Sequence, residues 1–265
     1  MKRSISFLAT CLVGVTLSGA ALAGSTHVEH PKREHWKFDG MFGTVDRQAA
    51  QRGFQVYKEV CAACHGLSRV AFRNLQALGF SEAEVKELAA GSTVKDGPND
   101  MGEMFDRPGT PSDHFVPPYP NEKASRANNN GAYPPDLSLM VKARPDGANY
   151  MYSILTGYEE PKGDVVVGPN MHYNPYFPGG QIAMPAPLAD GQVAYQDGTE
   201  ASVKQMSQDV VNFLQWAAEP EMEHRKQMGI RVLLFLAIMT SFFYIAKKRV
   251  WRNVDSVHSP DNSGK

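Results

Sequence analysis

The stretch Cys61-Ala62-Ala63-Cys64-His65 decides which fold this chain is expected to adopt. It has the C-x-x-C-H form that is typical of covalent haem attachment. Two thiols about one helical turn apart can both reach the vinyl edges of one porphyrin, and the histidine that follows can bind the iron as an axial ligand. The motif therefore predicts one covalently attached haem c, held by Cys61, Cys64 and His65.

Two other interpretations of this cysteine pair are weaker. A structural zinc ion needs four ligands, but the sequence has only one more cysteine, Cys11, near the N-terminus. A thioredoxin-like redox pair would need a βαβ context, which the surrounding pattern does not show. If the N-terminal segment is removed, no thiol is left for a structural disulfide.

Residues 1–23 are predicted to be a cleaved secretory signal peptide. Lys2 and Arg3 form a charged start, an apolar stretch follows, and Ala21-Leu22-Ala23 supplies the small residues of a cleavage site. An uncleaved anchor is the alternative, and the A-x-A ending argues against it. Export agrees with the haem motif, because haem c is attached outside the bacterial cytoplasm.

A second apolar segment lies near the C-terminus, where residues 232–246 carry no charge. These residues span only about 22 Å as a helix, which is short of a hydrocarbon core of ~30 Å. Apolar flanks lengthen the segment, and the basic residues beyond them can reach lipid headgroups. We therefore predict a transmembrane helix at 223–252, with a buried core helix as the alternative.

The signal and the haem motif together predict the orientation of the chain. Residues 24–222 would form a periplasmic cytochrome c domain, and residues 253–265 would form a cytoplasmic tail. The expected location is the bacterial inner (cytoplasmic) membrane, which the chain would cross once.

The formal net charge of −1 conceals an uneven distribution of charged residues. Residues 24–224 contain 17 Lys and Arg against 26 Asp and Glu, so the exported part is acidic, while the C-terminal segment is basic. An acidic surface around a redox centre would attract a basic protein partner, although ordinary solubility explains such charge equally well. The same balance argues against a nucleic-acid partner.

Apolar spacing and capping signals predict a mainly α fold. The expected architecture is a cytochrome c-type helical haem domain with large loop insertions, followed by one C-terminal transmembrane helix that starts around Pro220. Gly53 in the first helix would allow close contact with another helix. The expected helices of the haem domain are 46–61, which runs into the haem motif, 81–91, which begins with a Ser-x-x-Glu capping box, 149–155 and 203–217. Regions 92–135 and 158–190 are rich in turn-forming residues and are expected to be irregular.

The second axial ligand of the iron must come from a distant loop, and Met184 is the best candidate. Pro185 and Pro187 stiffen this loop and free Met184 from regular packing. A methionine ligand raises the potential and favours electron transfer, whereas an open position favours ligand binding or catalysis. On the pattern alone the choice stays open, because most methionines simply fill the core. The competing residues are Met101, Met104, Met140, Met171 and His172.

Several longer stretches of the sequence form a recognisable set. They are Asn129-Asn130-Gly131-Ala132-Tyr133-Pro134-Pro135-Asp136-Leu137-Ser138, Lys142-Ala143-Arg144, Tyr173-Asn174-Pro175-Tyr176-Phe177-Pro178-Gly179, Ile182-Ala183-Met184-Pro185, Phe213-Leu214-Gln215-Trp216-Ala217-Ala218-Glu219-Pro220 and His224-Arg225-Lys226. Together they resemble bacterial-type cytochrome c1, the haem c subunit of the quinol–cytochrome c oxidoreductase (the cytochrome bc1 complex). The resemblance covers most of residues 40–252.

The resemblance implies a set of haem-binding residues. Cys61 and Cys64 would carry the thioethers. His65 would be the proximal ligand of the iron and Met184 the distal one. Arg144 and Tyr150 would lie at the haem propionates, where a buried arginine makes sense as a charge partner for a carboxylate.

The resemblance also implies a function, which is one-electron relay outside the membrane. The haem would accept an electron from the Rieske iron–sulfur protein and pass it to a soluble cytochrome c, while the C-terminal helix holds the domain beside cytochrome b. No substrate bond changes at such a subunit, so we expect no catalytic residues and no catalysis by this chain alone.

Two other classes of function are alternatives at this point. One is a membrane-tethered haem enzyme, such as a peroxidase, or the cytochrome subunit of a different reductase; an open sixth position would favour this class. The other is a haem-binding sensor or assembly factor without an electron-transfer partner.

Overall fold

Among the residues that the structure describes, helices form the scaffold, and the strands in the loops between them are short. The computed structural model describes residues 28–162 and 165–252, so the predicted signal peptide and cytoplasmic tail lie outside the described residues. The helices are α1 (Arg47–Glu59), α2 (Glu82–Ala90), α3 (Glu122–Asn128), α4 (Met140–Ala143), α5 (Gly147–Thr156), α6 (Val203–Ala218) and α7 (Met222–Trp251). Antiparallel pairs are formed by β1 (Thr93–Asp96) with β2 (Phe105–Pro108) and by β3 (His172–Tyr173) with β4 (Gln181–Ile182), and 3₁₀ turns cover Cys61–Ala63 and Phe72–Leu78. The predicted mainly α fold with a long C-terminal apolar helix is confirmed.

Four of the described helices begin where the sequence supplies a capping side chain. Asp46 caps α1, Ser81 caps α2, Asn121 caps α3 and Ser202 caps α6, each by accepting a backbone N–H from the first turn. In α2 the cap is reciprocal, because Glu84 accepts the N–H of Ser81 at 2.7 Å. This confirms the predicted capping box, and α2 ends at Gly91 as expected.

The core lies where α1 packs against α6. A Cβ atom at Gly53 would lie 2.0 Å from the carbonyl oxygen of Asp209, so any side chain here would push the two helices apart. Beside this contact, Phe54 and Tyr57 pack on Phe213, with ring centroids 5.6 and 5.7 Å away. The close helix contact expected at Gly53 is therefore confirmed.

A buried ion pair joins the same two helices. Arg52 of α1 donates two hydrogen bonds to the carboxylate of Asp209, both at 2.9 Å, and the Asp209 side chain is only 1% exposed. Gln205 donates a further hydrogen bond to Asp209, and Asp197 accepts one from Arg52 at the surface. The pair stabilises one arrangement of α1 on α6. Any arrangement that separated the two side chains would leave a buried charge unpaired, at a high cost in free energy.

The region 92–135 is more ordered than the sequence predicts. It contains the β1–β2 hairpin and α3. Arg107 of β2 organises the hairpin, since its guanidinium contacts Asp96 and forms two hydrogen bonds with Asp113, at 2.6 and 2.9 Å. The expectation of an irregular segment was wrong here, because these strands are short and polar and show no alternating apolar pattern.

The region 158–190 follows the expectation more closely. Its only regular elements among the described residues are β3 and β4, of two residues each. Asn174 secures this loop from inside, because its buried side chain donates a hydrogen bond to the carbonyl of Ile154 at 2.9 Å. The loop is thereby tied to the end of α5.

The last helix, α7, is long and apolar enough to cross a bilayer. Its 30 residues extend about 45 Å, more than the ~30 Å of a hydrocarbon core. None of its apolar window is buried against the rest of the chain, which does not fit the alternative of a core helix. The sequence predicts that this helix starts around Pro220, but it begins two residues later, at Met222.

The first turns of α7 are fastened to the haem domain. Met222 is buried in the core, and Glu223 accepts the N–H of Val45 at 2.8 Å. Lys226 donates hydrogen bonds to the carbonyl oxygens of Phe38 and Gly43, at 2.6 and 3.3 Å. The helix therefore leaves the domain in a defined direction.

Candidate haem site

The cysteine motif lies on a tight turn directly after α1. The helix ends at Glu59, so the expectation that it runs on to Cys61 was wrong by about half a turn. The N–H groups of Cys64 and His65 both donate to the carbonyl of Cys61, at 3.1 and 2.9 Å. This 3₁₀ turn gathers the two cysteines and the histidine at one end of the helix, and both thiols are free.

The imidazole of His65 has its tautomer fixed by the backbone. Its Nδ1 lies 2.8 Å from the carbonyl oxygen of Pro135. A carbonyl can only accept, so Nδ1 carries a hydrogen, and in the neutral ring Nε2 keeps its lone pair. Burial also lowers the pKa of His65, which keeps the ring neutral. A neutral imidazole with a free Nε2 is the form that binds iron.

The segment that presents this carbonyl is itself held in place. The carboxylate of Asp136 accepts the N–H groups of Ser68 at 2.8 Å and Ser138 at 2.9 Å. Burial alone would raise the pKa of Asp136, but the hydrogen bonds from these two serines outweigh it and hold the pKa below its usual value. Sequence analysis did not identify Pro135 or Asp136 as site residues, although the Pro134-Pro135 pair signals a rigid segment.

The Cys61 thiol lies in a desolvated environment. Desolvation, with a smaller contribution from Cys64, raises its pKa to about 12. A structural zinc ion needs four ligands, and no group of three His, Cys, Asp or Glu side chains within 28–162 and 165–252 could hold a metal ion. The donor set therefore fits a haem better than a zinc ion.

Met184 lies two residues after β4, and its side chain is only partly buried. The hydroxyl of Tyr158 donates a hydrogen bond to the carbonyl of Met184 at 3.0 Å, and burial raises the pKa of Tyr158. The N–H of Gly168 donates to the side chain of Gln181 at 3.0 Å, just before the methionine. Tyr158 was missed by sequence analysis, because no local pattern connects it to Met184.

The competing ligand candidates occupy different environments. Met101 and Met104 are exposed on the β1–β2 hairpin, and Met140 is packed in the core. His172 is exposed on β3, and Met171 is partly buried beside it. No hydrogen bond among the described residues joins the His65 turn, which is held by Pro135, to the Met184 loop, which is held by Tyr158.

Arg144 and Tyr150 come together at the α4–α5 corner. Arg144 ends α4, and its guanidinium is close enough to the Tyr150 hydroxyl to oppose the rise in pKa that burial imposes on that tyrosine. Arg144 is exposed and not buried as expected; in the described part of the chain its guanidinium forms no salt bridge and donates a hydrogen bond to the carbonyl of Ala143. The pair can therefore meet a carboxylate from outside the chain.

The fold and the site together define the class of this protein. A helical domain carries a C-x-x-C-H turn with a neutral histidine, and a long apolar helix follows, as in a haem protein of the cytochrome c type with a C-terminal anchor. A family model described as the Cytochrome C1 family matches residues 36–254. The chain belongs to the cytochrome c1 family.

Similar proteins occur in bacteria and in mitochondria. "Cytochrome c1" of Rhodospirillum rubrum is 48% identical over 256 residues, which cover 91% of this chain and 94% of that protein. A mitochondrial "Cytochrome c1-2, heme protein" of Solanum tuberosum is 49% identical over 88% of this chain and 93% of its own length. "Cytochrome b/c1" of Bradyrhizobium diazoefficiens is 46% identical over 92% of this chain, which spans only 40% of that longer protein. Membership of this family gives the chain a haem c cofactor and a role in haem electron transfer.

Proposed function

We propose that this chain is the one-electron carrier of a quinol–cytochrome c oxidoreductase, passing electrons from the Rieske iron–sulfur protein to a soluble cytochrome c. The observation that carries this proposal is the neutral His65, which follows two free thiols and keeps Nε2 for iron. The bound haem would supply the one-electron chemistry. The chain itself makes and breaks no substrate bond, so none of its residues is assigned a catalytic role.

Four residues are proposed to hold one covalently attached haem. Cys61 and Cys64 would form thioethers with it. His65 Nε2 and Met184 Sδ would be the axial ligands of the iron. Met184 is preferred because it is partly buried on a braced loop, whereas Met101 is exposed and Met140 is part of the core.

Arg144 and Tyr150 are proposed to bind the haem propionates. A guanidinium without a carboxylate partner among the described residues would be satisfied by a propionate. The partly buried Tyr150 hydroxyl beside it could donate a hydrogen bond to the same group. Together they would neutralise charge at the edge of the cofactor.

The names of the relatives support a complex with cytochrome b. The Bradyrhizobium protein is named "Cytochrome b/c1", and a relative from Candida albicans, 46% identical over 237 residues, is named "Cytochrome b-c1 complex catalytic subunit, mitochondrial". We assign the same membrane partner to this chain, through α7. The acidic character of residues 24–224 suits a basic soluble cytochrome as acceptor.

The proposed topology has the haem domain on the periplasmic side of the bacterial inner membrane. Cleavage after residue 23 would leave residues 24–222 as the periplasmic domain, 223–252 as the single membrane span and 253–265 as the cytoplasmic tail. The long exposed α7 supports the span. The basic residues at its C-terminal end, such as Lys247 and Arg249, suit the cytoplasmic side.

The proposal is tested on the membrane-purified chain by three measurements. Mass spectrometry should find the mature chain heavier than its amino acids by one haem. A redox titration should show a single one-electron transition at high potential. Stopped-flow mixing should show rapid reduction by reduced Rieske protein and rapid oxidation by a soluble cytochrome c; slow exchange with both would contradict the proposed function while leaving the haem assignment intact.

Loss of one attachment thiol, or of the proposed proximal ligand, is expected to abolish normal haem assembly. Cys61→Ser removes one thioether, and His65→Ala removes the proposed proximal ligand. Haem staining after denaturing electrophoresis and the absorption spectrum of the membranes are the measurements. Cys11→Ser is the control, because this residue lies in the predicted signal peptide and should not affect the haem. A normal stained band and spectrum in His65→Ala would contradict its assignment.

Tyr158→Phe is expected to loosen the Met184 loop without removing the ligand. The change leaves the Met184 carbonyl without its partner, at a cost of about 1–3 kcal/mol if the carbonyl stays buried. Carbon monoxide, which competes for the methionine position, should therefore bind the reduced protein more readily. Tyr57→Phe is the matched control, since Tyr57 donates to the His65 carbonyl at 3.2 Å. Equal carbon monoxide binding in the two variants would contradict a role of Tyr158 on the Met184 side.

A further inference from the structure

A short turn beside the start of α7 exposes two large apolar side chains. Met41 is 59% exposed and Phe42 is 81% exposed, the highest value for any aromatic residue in the described part of the chain. They occupy the central positions of the turn from Gly40 to Gly43, where the Gly43 N–H donates to the Gly40 carbonyl at 3.4 Å. Single exposed apolar residues are common, so whether this turn is a contact surface depends on where it is attached.

The turn is held by a rigid base. The N–H of Thr44 donates to the carbonyl of Lys37 at 2.9 Å, which closes a loop of residues 37–44. At the entrance to this loop, Trp36 and Phe38 are buried and their rings stack with centroids 5.4 Å apart. Phe42 is therefore presented outward by an anchored loop.

The base of this loop is attached directly to α7. Lys226 donates hydrogen bonds to the carbonyl oxygens of Phe38 and Gly43, which lie on the two sides of the tip. One turn earlier, Glu223 accepts the N–H of Val45. The loop is thus fixed at the level of residues 223–226 of the helix.

The position of Lys226 sets the height of the loop relative to a bilayer. A span of about 20 residues centred on 232–246 would begin near residue 229 or 230. Lys226 would then lie roughly 5 Å before the hydrocarbon core, at about 1.5 Å per residue. Since each headgroup layer is roughly 5–8 Å thick, Lys226 lies within it, whereas Glu223, about 10 Å from the core, lies just outside it. Phe42 is next to Gly43, whose carbonyl accepts a hydrogen bond from Lys226, so its exposed side chain lies near this layer.

We infer that the turn from Gly40 to Gly43 is a second membrane contact, in which Met41 and Phe42 insert into the headgroup–acyl boundary of the bilayer. This inference rests on the membrane anchoring by α7 that is proposed above. A lipid surface is favoured over a protein partner because the turn is hydrogen-bonded to the anchor helix. The turn therefore lies near the headgroup–acyl boundary that every bilayer has. A second point of attachment would stop the haem domain from tilting about α7.

Depth measurements with a spin label test the inference on the full-length, haem-loaded chain. A nitroxide is attached to Phe42→Cys in nanodiscs of phosphatidylcholine and phosphatidylglycerol, and its collision rates with oxygen and with a water-soluble nickel chelate are compared. The proposed haem attachment consumes Cys61 and Cys64, so the new thiol is labelled selectively. Val166→Cys is the aqueous control, because Val166 is 85% exposed in the loop before β3, and Ile238→Cys in the middle of α7 is the lipid control.

The expected result is an oxygen-to-nickel accessibility ratio at position 42 that is several-fold higher than at position 166. Equal ratios at 42 and 166, with a lipid value at 238, would overturn the second contact and leave the anchor intact. A water-like value at 238 would overturn the anchor and the inference together. Protection of position 42 only in the assembled complex, and not in nanodiscs of the chain alone, would identify a protein surface and also overturn the lipid contact.

Discussion

Replacing Met184 by leucine is expected to lower the midpoint potential of the haem by on the order of hundreds of millivolts, since axial ligands set haem potentials over a range of about 0.8 V. Leucine nearly conserves the volume of methionine, so the loop should keep its packing. The proposed thioethers at Cys61 and Cys64 should be unaffected, and the haem should stay attached. Redox titration of the α band in purified membranes measures the effect.

The matched control is Met171→Leu, a partly buried methionine of the same loop region. It is expected to leave the potential close to its starting value. Carbon monoxide binding provides a second readout, because the Met184 variant should bind it and the Met171 variant should not. A potential that falls in Met171→Leu but not in Met184→Leu would show that the ligand was assigned to the wrong residue. High-spin haem in the unmodified protein would instead favour a haem enzyme.

Removing the carboxylate of Asp209 is expected to lower the free energy of unfolding by about 3–5 kcal/mol, the usual cost of breaking a buried ion pair. In Asp209→Ala, the Arg52 guanidinium loses both of its 2.9 Å hydrogen bonds to this helix. The contact between α1 and α6 supports the C-x-x-C-H turn, so the loss should reach the haem site. Guanidinium chloride unfolding of the haem-loaded chain in detergent, followed by circular dichroism, measures the change.

Asp197→Ala is the control for this prediction, because Asp197 pairs with the same arginine at the surface, where its side chain is 48% exposed. Exposed pairs contribute no more than about 1 kcal/mol, so this variant should be nearly as stable as the starting protein. The double variant Arg52→Met with Asp209→Leu should recover much of the loss, since apolar residues can replace a buried pair. Equal destabilisation by Asp209→Ala and Asp197→Ala would refute the buried pair as the main connection.

Several features of the fold could be predicted because their causes lie within a few residues. The capping box at Ser81 forms between a side chain and a backbone N–H three positions apart. The apolar run of α7 is continuous in sequence, and the small residue at Gly53 signals a close contact whichever helix approaches it. The stretches that resemble the cytochrome c1 family also predicted individual haem-binding residues, which the periodicity of apolar residues cannot do.

Other features depended on contacts between distant segments. Arg107 orders the β1–β2 hairpin by contacting Asp96 and Asp113, and the polar strands gave no apolar alternation from which to predict it. Tyr158 reaches the Met184 carbonyl from another part of the chain. The C-x-x-C-H motif also does not continue α1 beyond Glu59. Its backbone hydrogen bonds are formed in a 3₁₀ turn instead.

By itself, the sequence determined that this protein carries a haem-attachment motif, a mainly α domain and a C-terminal apolar helix. These are set by spacing along the chain and by continuous apolar composition. Only the tertiary structure decided that the Pro135 carbonyl fixes the tautomer of His65, that Arg52 and Asp209 join the two core helices, and that Lys226 attaches an exposed Phe42 turn to α7. The physical reason is that hydrogen bonds, ion pairs and burial depend on distance in space, and folding brings these groups together from positions that no local pattern relates.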